Sequence, residues 1–302
     1  MPVFILFTSL LLLFSGSLFS KVRILTFHYN QADFIEIQHR CLQKFMSDDY
    51  ELIVFNDART ADNERAIQQT CEKFGIQCIR FEQEWHFANP ANMQSPSDRH
   101  ARVIQYALDY FGYDNNDPVA IMDGDAFFIR KISIKDRLKD LDIFGMARSL
   151  ADTRIPVNYL WVPFVAFDPK KLPNLKDLKF HPTIINNTWQ DTGAASHYYL
   201  KNNPSVKYKR TEAEITALFS PFSNSELRNW GFSPAEISLI RNLGSHGCQV
   251  ELNIDRCILH FREVSFEASK HHEKLECLYK FINQILTDYP DRDSNRRISR
   301  RG

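Results

Sequence analysis

Between Val22 and Phe81 the chain alternates compact apolar runs with segments of helical periodicity, and this alternation constrains the fold more than any other feature. Val22–Phe27 (VRILTF) is a β-rich run. Asn30 is placed to cap a helix in which Phe34, Ile37, Cys41, Leu42 and Phe45 recur at helical spacing. Glu51–Phe55 (ELIVF) is a second strand, closed by Asn56-Asp57. A polar helix carrying Ala66, Ile67 and Phe74 follows, then a third strand, Ile76–Phe81. Strand, helix, strand, helix, strand is the βαβ signature of a parallel sheet covered by helices.

Further on, the segment from Glu84 to Ser97 reads as a loop. Ser97 or Asp98 can cap a helix with Val103, Ile104, Ala107, Leu108 and Phe111, which ends near Gly112. Val119–Met122 (VAIM) is a short buried strand running into Asp123-Gly124-Asp125. The second half is less regular. Strands are predicted at Ile143–Ala147, Tyr159–Phe167, Val250–Ile254 and Ile258–Phe261, and helices near Pro234–Leu243 and Leu275–Leu286. No repeat or long linker divides the 302 residues, so a single domain is expected over 21–289. Lys and Arg number 37, as do Asp and Glu, so no whole-surface charge favours nucleic acid as a partner. Six Cys without a C-x-x-C pair read as buried thiols, with a Cys71–Cys78 bridge as the one open pairing.

Two carboxylates one residue apart, directly after an apolar strand, can approach one hard cation from adjacent backbone positions. Asp123 and Asp125 are therefore the candidate ligands, and Gly124 is read as leaving room for a bulky ligand. A divalent ion there would neutralise a diphosphate leaving group. The bland alternative is a turn with two solvated Asp.

The order of these motifs resembles that of GT-A fold glycosyltransferases, over most of residues 22 to about 265. Thr26-Phe27-His28-Tyr29-Asn30 resembles the T-x-x-Y-N start of many such enzymes. Asp57 stands where the family often places an Asp on the nucleotide base. Asp123-Gly124-Asp125 resembles its metal-binding D-x-D, and Leu259-His260-Phe261-Arg262 its late strand with a His near metal and diphosphate. The resemblance implies a mixed, mainly parallel α/β sheet flanked by helices. It also implies transfer of a sugar from a nucleoside-diphosphate sugar to a hydroxyl acceptor, a glycan or glycolipid. Mn²⁺ or Mg²⁺ would be held by Asp123, Asp125 and His260. The donor would meet Thr26, Tyr29, Asn30, Asp57, Arg99, Asp123 and Gly124, and Asp191 would be the catalytic base. Two departures stand out. Gln190 precedes Asp191 where an E-D pair is frequent, and Glu263-Val264-Ser265 replaces a Gly-rich stretch.

Each assignment has a plainer counterpart: a turn cap for Asp57, an ion pair for Arg99, an N-cap for Asp191, a hydrogen-bonded core residue for His260. A haloacid-dehalogenase-type phosphohydrolase also carries D-x-D after a strand, but it has Thr or Val where Phe127 stands. A non-catalytic nucleotide-sugar-binding protein is the third reading. Val3–Phe19 is apolar, with Lys21 and Arg23 following it. This charge order predicts a membrane anchor with a cytoplasmic catalytic domain, the alternative being a cleaved signal and a secreted or lumenal protein. Residues 290–302 form a basic tail predicted to be disordered.

Overall fold

The computed structural model describes residues 20–87, 95–150, 157–211, 214–217, 223–245, 249–253, 256–262 and 271–288. The apolar segment 3–19, the tail 290–302 and Glu263-Val264-Ser265 lie outside the described residues. No helix among the described residues is long and apolar enough to cross a membrane.

The expected βαβαβ unit is present. Strand β1 (Val22–His28), helix α1 (Asp33–Phe45), β2 (Tyr50–Asn56), α2 (Ala61–Phe74) and β3 (Gln77–Arg80) follow one another. β1 pairs in parallel with β2, and β2 with β3. Helix α1 buries Phe34, Ile37, Cys41, Leu42 and Phe45, the stripe that its spacing marks. Asn30 does not cap it. The helix starts after Ala32, while Asn30 sits at φ 59° and its Oδ1 accepts from Arg59 N at 2.8 Å, tying the end of β1 to the turn after β2. Thr60 and Gly75 close the two ends of α2, Gly75 in the left-handed conformation. Cys71 and Cys78 are free thiols.

A short helix α3 (Gln83–Phe87) precedes α4 (Pro96–Ala107). The cap of α4 is Ser95, with Pro96 in the first turn, rather than Ser97 or Asp98. A single widened turn, Leu108–Gly112, leads on to β4 (Val119–Asp123). Then come β5 (Ala126–Phe128), α5 (Ile134–Arg137), β6 (Ile143–Leu150) and β7 (Val157–Phe167). The hairpin β8 (Thr183–Ile185) and β9 (Thr188–Gln190) leads to α6 (Ser196–Asn202), β10 (Tyr208–Thr211) and β11 (Glu214–Ala217). The chain continues through α7 (Asn224–Asn229), α8 (Pro234–Ser245), β12 (Gln249–Asn253), β13 (Ile258–Arg262) and α9 (His271–Asp288).

The main sheet has the order β10-β6-β7-β4-β1-β2-β3. Only β7 runs against the rest, so the sheet is mixed and mainly parallel, as expected. Alternate residues of β1 serve two separate cores: Val22 and Ile24 pack on one face, Leu25 and Phe27 on the other. The second sheet, β11-β12-β13-β5, is antiparallel and was not expected. The apolar run around Asp123-Gly124-Asp125 is thus two strands in two sheets.

Gly193 lies in the turn between β9 and α6. Its φ is +98°, and a Cβ there would lie 2.1 Å from the carbonyl oxygen of Leu160. Gly193→Ala is expected to lower stability by more than about 1 kcal/mol in urea unfolding, because both the backbone conformation and the close approach exclude a side chain. An unchanged midpoint would show that the turn can move away from β7.

Candidate active site

The strand pairing brings distant side chains to one place. β1 and β4 run in parallel with Phe27 opposite Asp123, so both end at the same edge. β13 pairs with β5 so that His260 faces Ala126, and Phe261 N donates to Asp125 O at 2.9 Å. Ligand atoms of Asp123, Asp125 and His260 consequently lie within 4.8 Å of one another. They line an open cleft of about 770 Å³ at the carboxyl ends of β1, β2 and β4.

The Asp123–Ala126 turn is held from behind. Buried Gln38, on α1, donates through Nε2 to Asp123 O at 2.9 Å and to Ala126 O at 3.0 Å. Gly124 lines the cleft, but the reason for a glycine is the neighbouring strand. A Cβ would fall 2.5 Å from Phe27 O and 2.9 Å from His28 Nδ1, so the space read as room for a ligand is taken by β1. Burial pushes His28 down to about 4, and the neutral ring donates through Nδ1 to Gln31 O and accepts from Thr26 Oγ1 at Nε2.

Acidic charge dominates the cluster. His260 is 6 % exposed, with Nε2 3.4 Å from Asp125 Oδ1 and Nδ1 3.0 Å from Glu251 Oε2. Burial opposes its protonation, but Asp125 and Glu251 outweigh it and push the imidazole up to about 10. His100, on α4, stands 3.1 Å from Asp123 Oδ1. Burial opposes its protonation too, and Asp123, with Asp125 and Asp191, raises it above its ordinary value. His100 is thus the one side chain that the described residues bring against Asp123 Oδ1, which is otherwise buried without a hydrogen-bond donor among them. Two carboxylates and one imidazole whose ligand atoms lie this close fit a hard divalent cation.

At the other end of the cleft Asp57 is already engaged. Arg99 Nε donates to Oδ2 at 2.9 Å and Nη2 to Oδ1 at 2.8 Å, and His86 Nε2 lies 2.7 Å from Oδ1. The Arg99 guanidinium also covers the Tyr29 ring at 4.9 Å. Asp57, Arg99 and Tyr29 all line the cleft, as does Asp191. Asp191 is not a helix cap, since α6 begins after Ala195. Its Oδ1 accepts from Ser97 Oγ at 2.6 Å and from Thr192 N at 2.7 Å, and Thr192 Oγ1 returns a bond to Ser97 O at 3.1 Å. This double clamp joins the first turn of α4 to the second half of the chain. Thr26 and Asn30 are not among the residues lining the cleft. Thr26 is fully buried with its hydroxyl on His28, and Asn30 serves the turn at Arg59.

His86, Gln38 and Glu251 were not singled out from the sequence, Ser97 was read only as a candidate helix cap, and His100 was given no role. Only the register of β12 and β13 reveals Glu251, which lies opposite His260.

No known family's sequence profile matches the chain, and no curated protein matches it in sequence. Solved structures do resemble it. The mannosyltransferase PcManGT of Pyrobaculum calidifontis, in complex with GDP-Man and Mn²⁺, aligns at 15 % identity and TM-score 0.40. That alignment covers 64 % of this chain and 55 % of the other. The bifunctional glycosyltransferase WbbM, in its apo form, aligns at 8 % identity and TM-score 0.40, over 63 % of this chain and 38 % of its own. TarS of S. aureus aligns at 16 % identity and TM-score 0.30, over 45 % and 23 %. The alignments thus span about half or less of those chains.

Asp57→Asn is expected to destabilise the protein by about 3 kcal/mol in urea without any nucleotide, because Arg99 loses a largely buried counter-charge. A midpoint equal to the parent's would mean that the pair carries no structural load.

Proposed function

We propose that the chain is a metal-dependent glycosyltransferase of GT-A type, passing a sugar from a nucleoside-diphosphate sugar to a hydroxyl acceptor. The observation that carries this reading is the convergence of Asp123, Asp125 and His260 in the lining of one cleft. Asp123, Asp125 and His260 would hold Mn²⁺ or Mg²⁺, which when bound would neutralise the donor diphosphate and stabilise it as a leaving group. The nucleotide would lie against Tyr29, Asp57 and Arg99. Because Arg99 is neutralised by Asp57, it would contribute hydrogen bonding and ring stacking more than net positive charge. Asp191 would receive the acceptor. Its Oδ1 is taken by Ser97 and Thr192, and no hydrogen bond reaches Oδ2 among the described residues. In an inverting reaction Oδ2 would take the proton of the attacking hydroxyl, as general base. The phosphohydrolase alternative has less support, because Phe127 is a fully buried core residue packed edge-on against Phe34.

UDP, GDP and CMP should be compared by thermal shift, each with and without Mn²⁺. One nucleoside diphosphate is expected to raise the midpoint only when Mn²⁺ is present, since a ligand at a hundred times its Kd adds about 2.7 kcal/mol. The joint variant Asp123→Asn, Asp125→Asn should lose that metal-dependent part. A shift that ignores the metal, or survives the double substitution, contradicts the reading.

Asp191→Asn should retain donor binding and lose transfer by about 100-fold or more if inversion is the outcome, because the amide cannot accept the proton. If the variant melts earlier while its folded fraction transfers normally, Asp191 is only the clamp between α4 and the following turn.

A further inference from the structure

We infer that Glu251 is a positioning residue of the metal site: it holds His260 so that Nε2 faces the position shared with Asp123 and Asp125. This rests on the metal-dependent reading above.

Glu251 and His260 are directly opposed in the antiparallel pair β12–β13, so their side chains leave the same face of the second sheet. Glu251 is fully buried, and its Oε2 lies 3.0 Å from His260 Nδ1. A carboxylate only accepts, so the proton on that line belongs to Nδ1, and the ring atom left for a cation is Nε2. Nε2 is the atom that stands 3.4 Å from Asp125 Oδ1. Trp161 meets the same ring edge-on at 5.4 Å, so the imidazole is confined on a second side. Glu251 is fully buried, and a buried carboxylate is costly. Orientation of a ligand imidazole gives that cost a use.

A second fully buried glutamate provides the contrast. Glu236 accepts from Ser233 N at 2.6 Å at the start of α8, with Arg130 3.9 Å away. Its hydrogen-bond partner belongs to a helix terminus, and it is not among the residues lining the cleft.

The test is calorimetric titration of the full-length chain with Mn²⁺ alone. Glu251→Gln is expected to weaken Mn²⁺ binding about 10-fold or more. Glu236→Gln should lower the melting temperature and leave the Mn²⁺ affinity unchanged. In a His260→Ala background Glu251→Gln should have no further effect, a non-additivity that a merely structural role would not produce. If Glu251→Gln does not fold, Glu251→Asp serves instead. Its shorter side chain loses the 3.0 Å contact, and the same weakening is expected. Unchanged Mn²⁺ affinity in the folded Glu251 variant, or an equal loss with and without His260, overturns the assignment alone. A parent chain that takes up no Mn²⁺ overturns the metal-dependent reading and this assignment with it.

Discussion

Between Asp123 and Ala126 the chain leaves the main sheet and enters the second one, and the buried amide of Gln38 bonds the carbonyls on both sides of that handover. The cluster of Asp123, Asp125 and His260 depends on this joint. It sets Asp123 at the end of β4, beside Phe27 of β1. It sets Asp125 where β13 can reach it, through Phe261 N, and so brings a late histidine against an early aspartate. Gly124 is required because β1 passes too close for any Cβ. One turn thus brings three candidate ligands together, held by the Gln38 amide and by the bond from Phe261 N to Asp125 O.

The charge arrangement at this joint is unbalanced in a useful direction. Asp123, Asp125, Glu251 and Asp191 surround two imidazoles, and both imidazoles are drawn towards the protonated form although burial opposes it. The field therefore favours positive charge near Asp123 and Asp125. The opposite end of the cleft is arranged differently. There Asp57 is closed into a fork with Arg99 and backed by His86, which gives a rigid, nearly neutral wall. The cleft is thus acidic around Asp123 and Asp125, while its Asp57 side presents the Tyr29 ring and the fixed donors of Arg99.

Much of this was legible in the sequence, for physical reasons. Strands of five to seven residues made of Val, Ile, Leu and Phe leave a clear period, and so does the buried stripe of α1. Three- and four-residue strands such as β8, β9 and β10 leave none, and their positions come from pairing alone. Asp123 and Asp125 were legible as a pair because they follow a buried strand, whereas His260, in the middle of β13, was a candidate through the resemblance to GT-A glycosyltransferases. Asn30 misled because an Asn before an apolar run signals a cap, whereas here its left-handed backbone turns the chain and its side chain serves Arg59. Asp191 precedes a helix but is separated from it by a further turn, so its partners, Ser97 and Thr192, could not be inferred from local order. Glu251 was invisible for the same reason: its role exists only in the register of two strands.

The central claim is that Asp123, Asp125 and His260 share one cation, and crystallography at the manganese absorption edge tests it most directly. Crystals of the protein grown with Mn²⁺ should give an anomalous difference peak in contact with a carboxylate oxygen of Asp123, one of Asp125, and Nε2 of His260. A single strong peak elsewhere on the chain, or an ordered cleft with no anomalous signal at saturating Mn²⁺, would contradict the account.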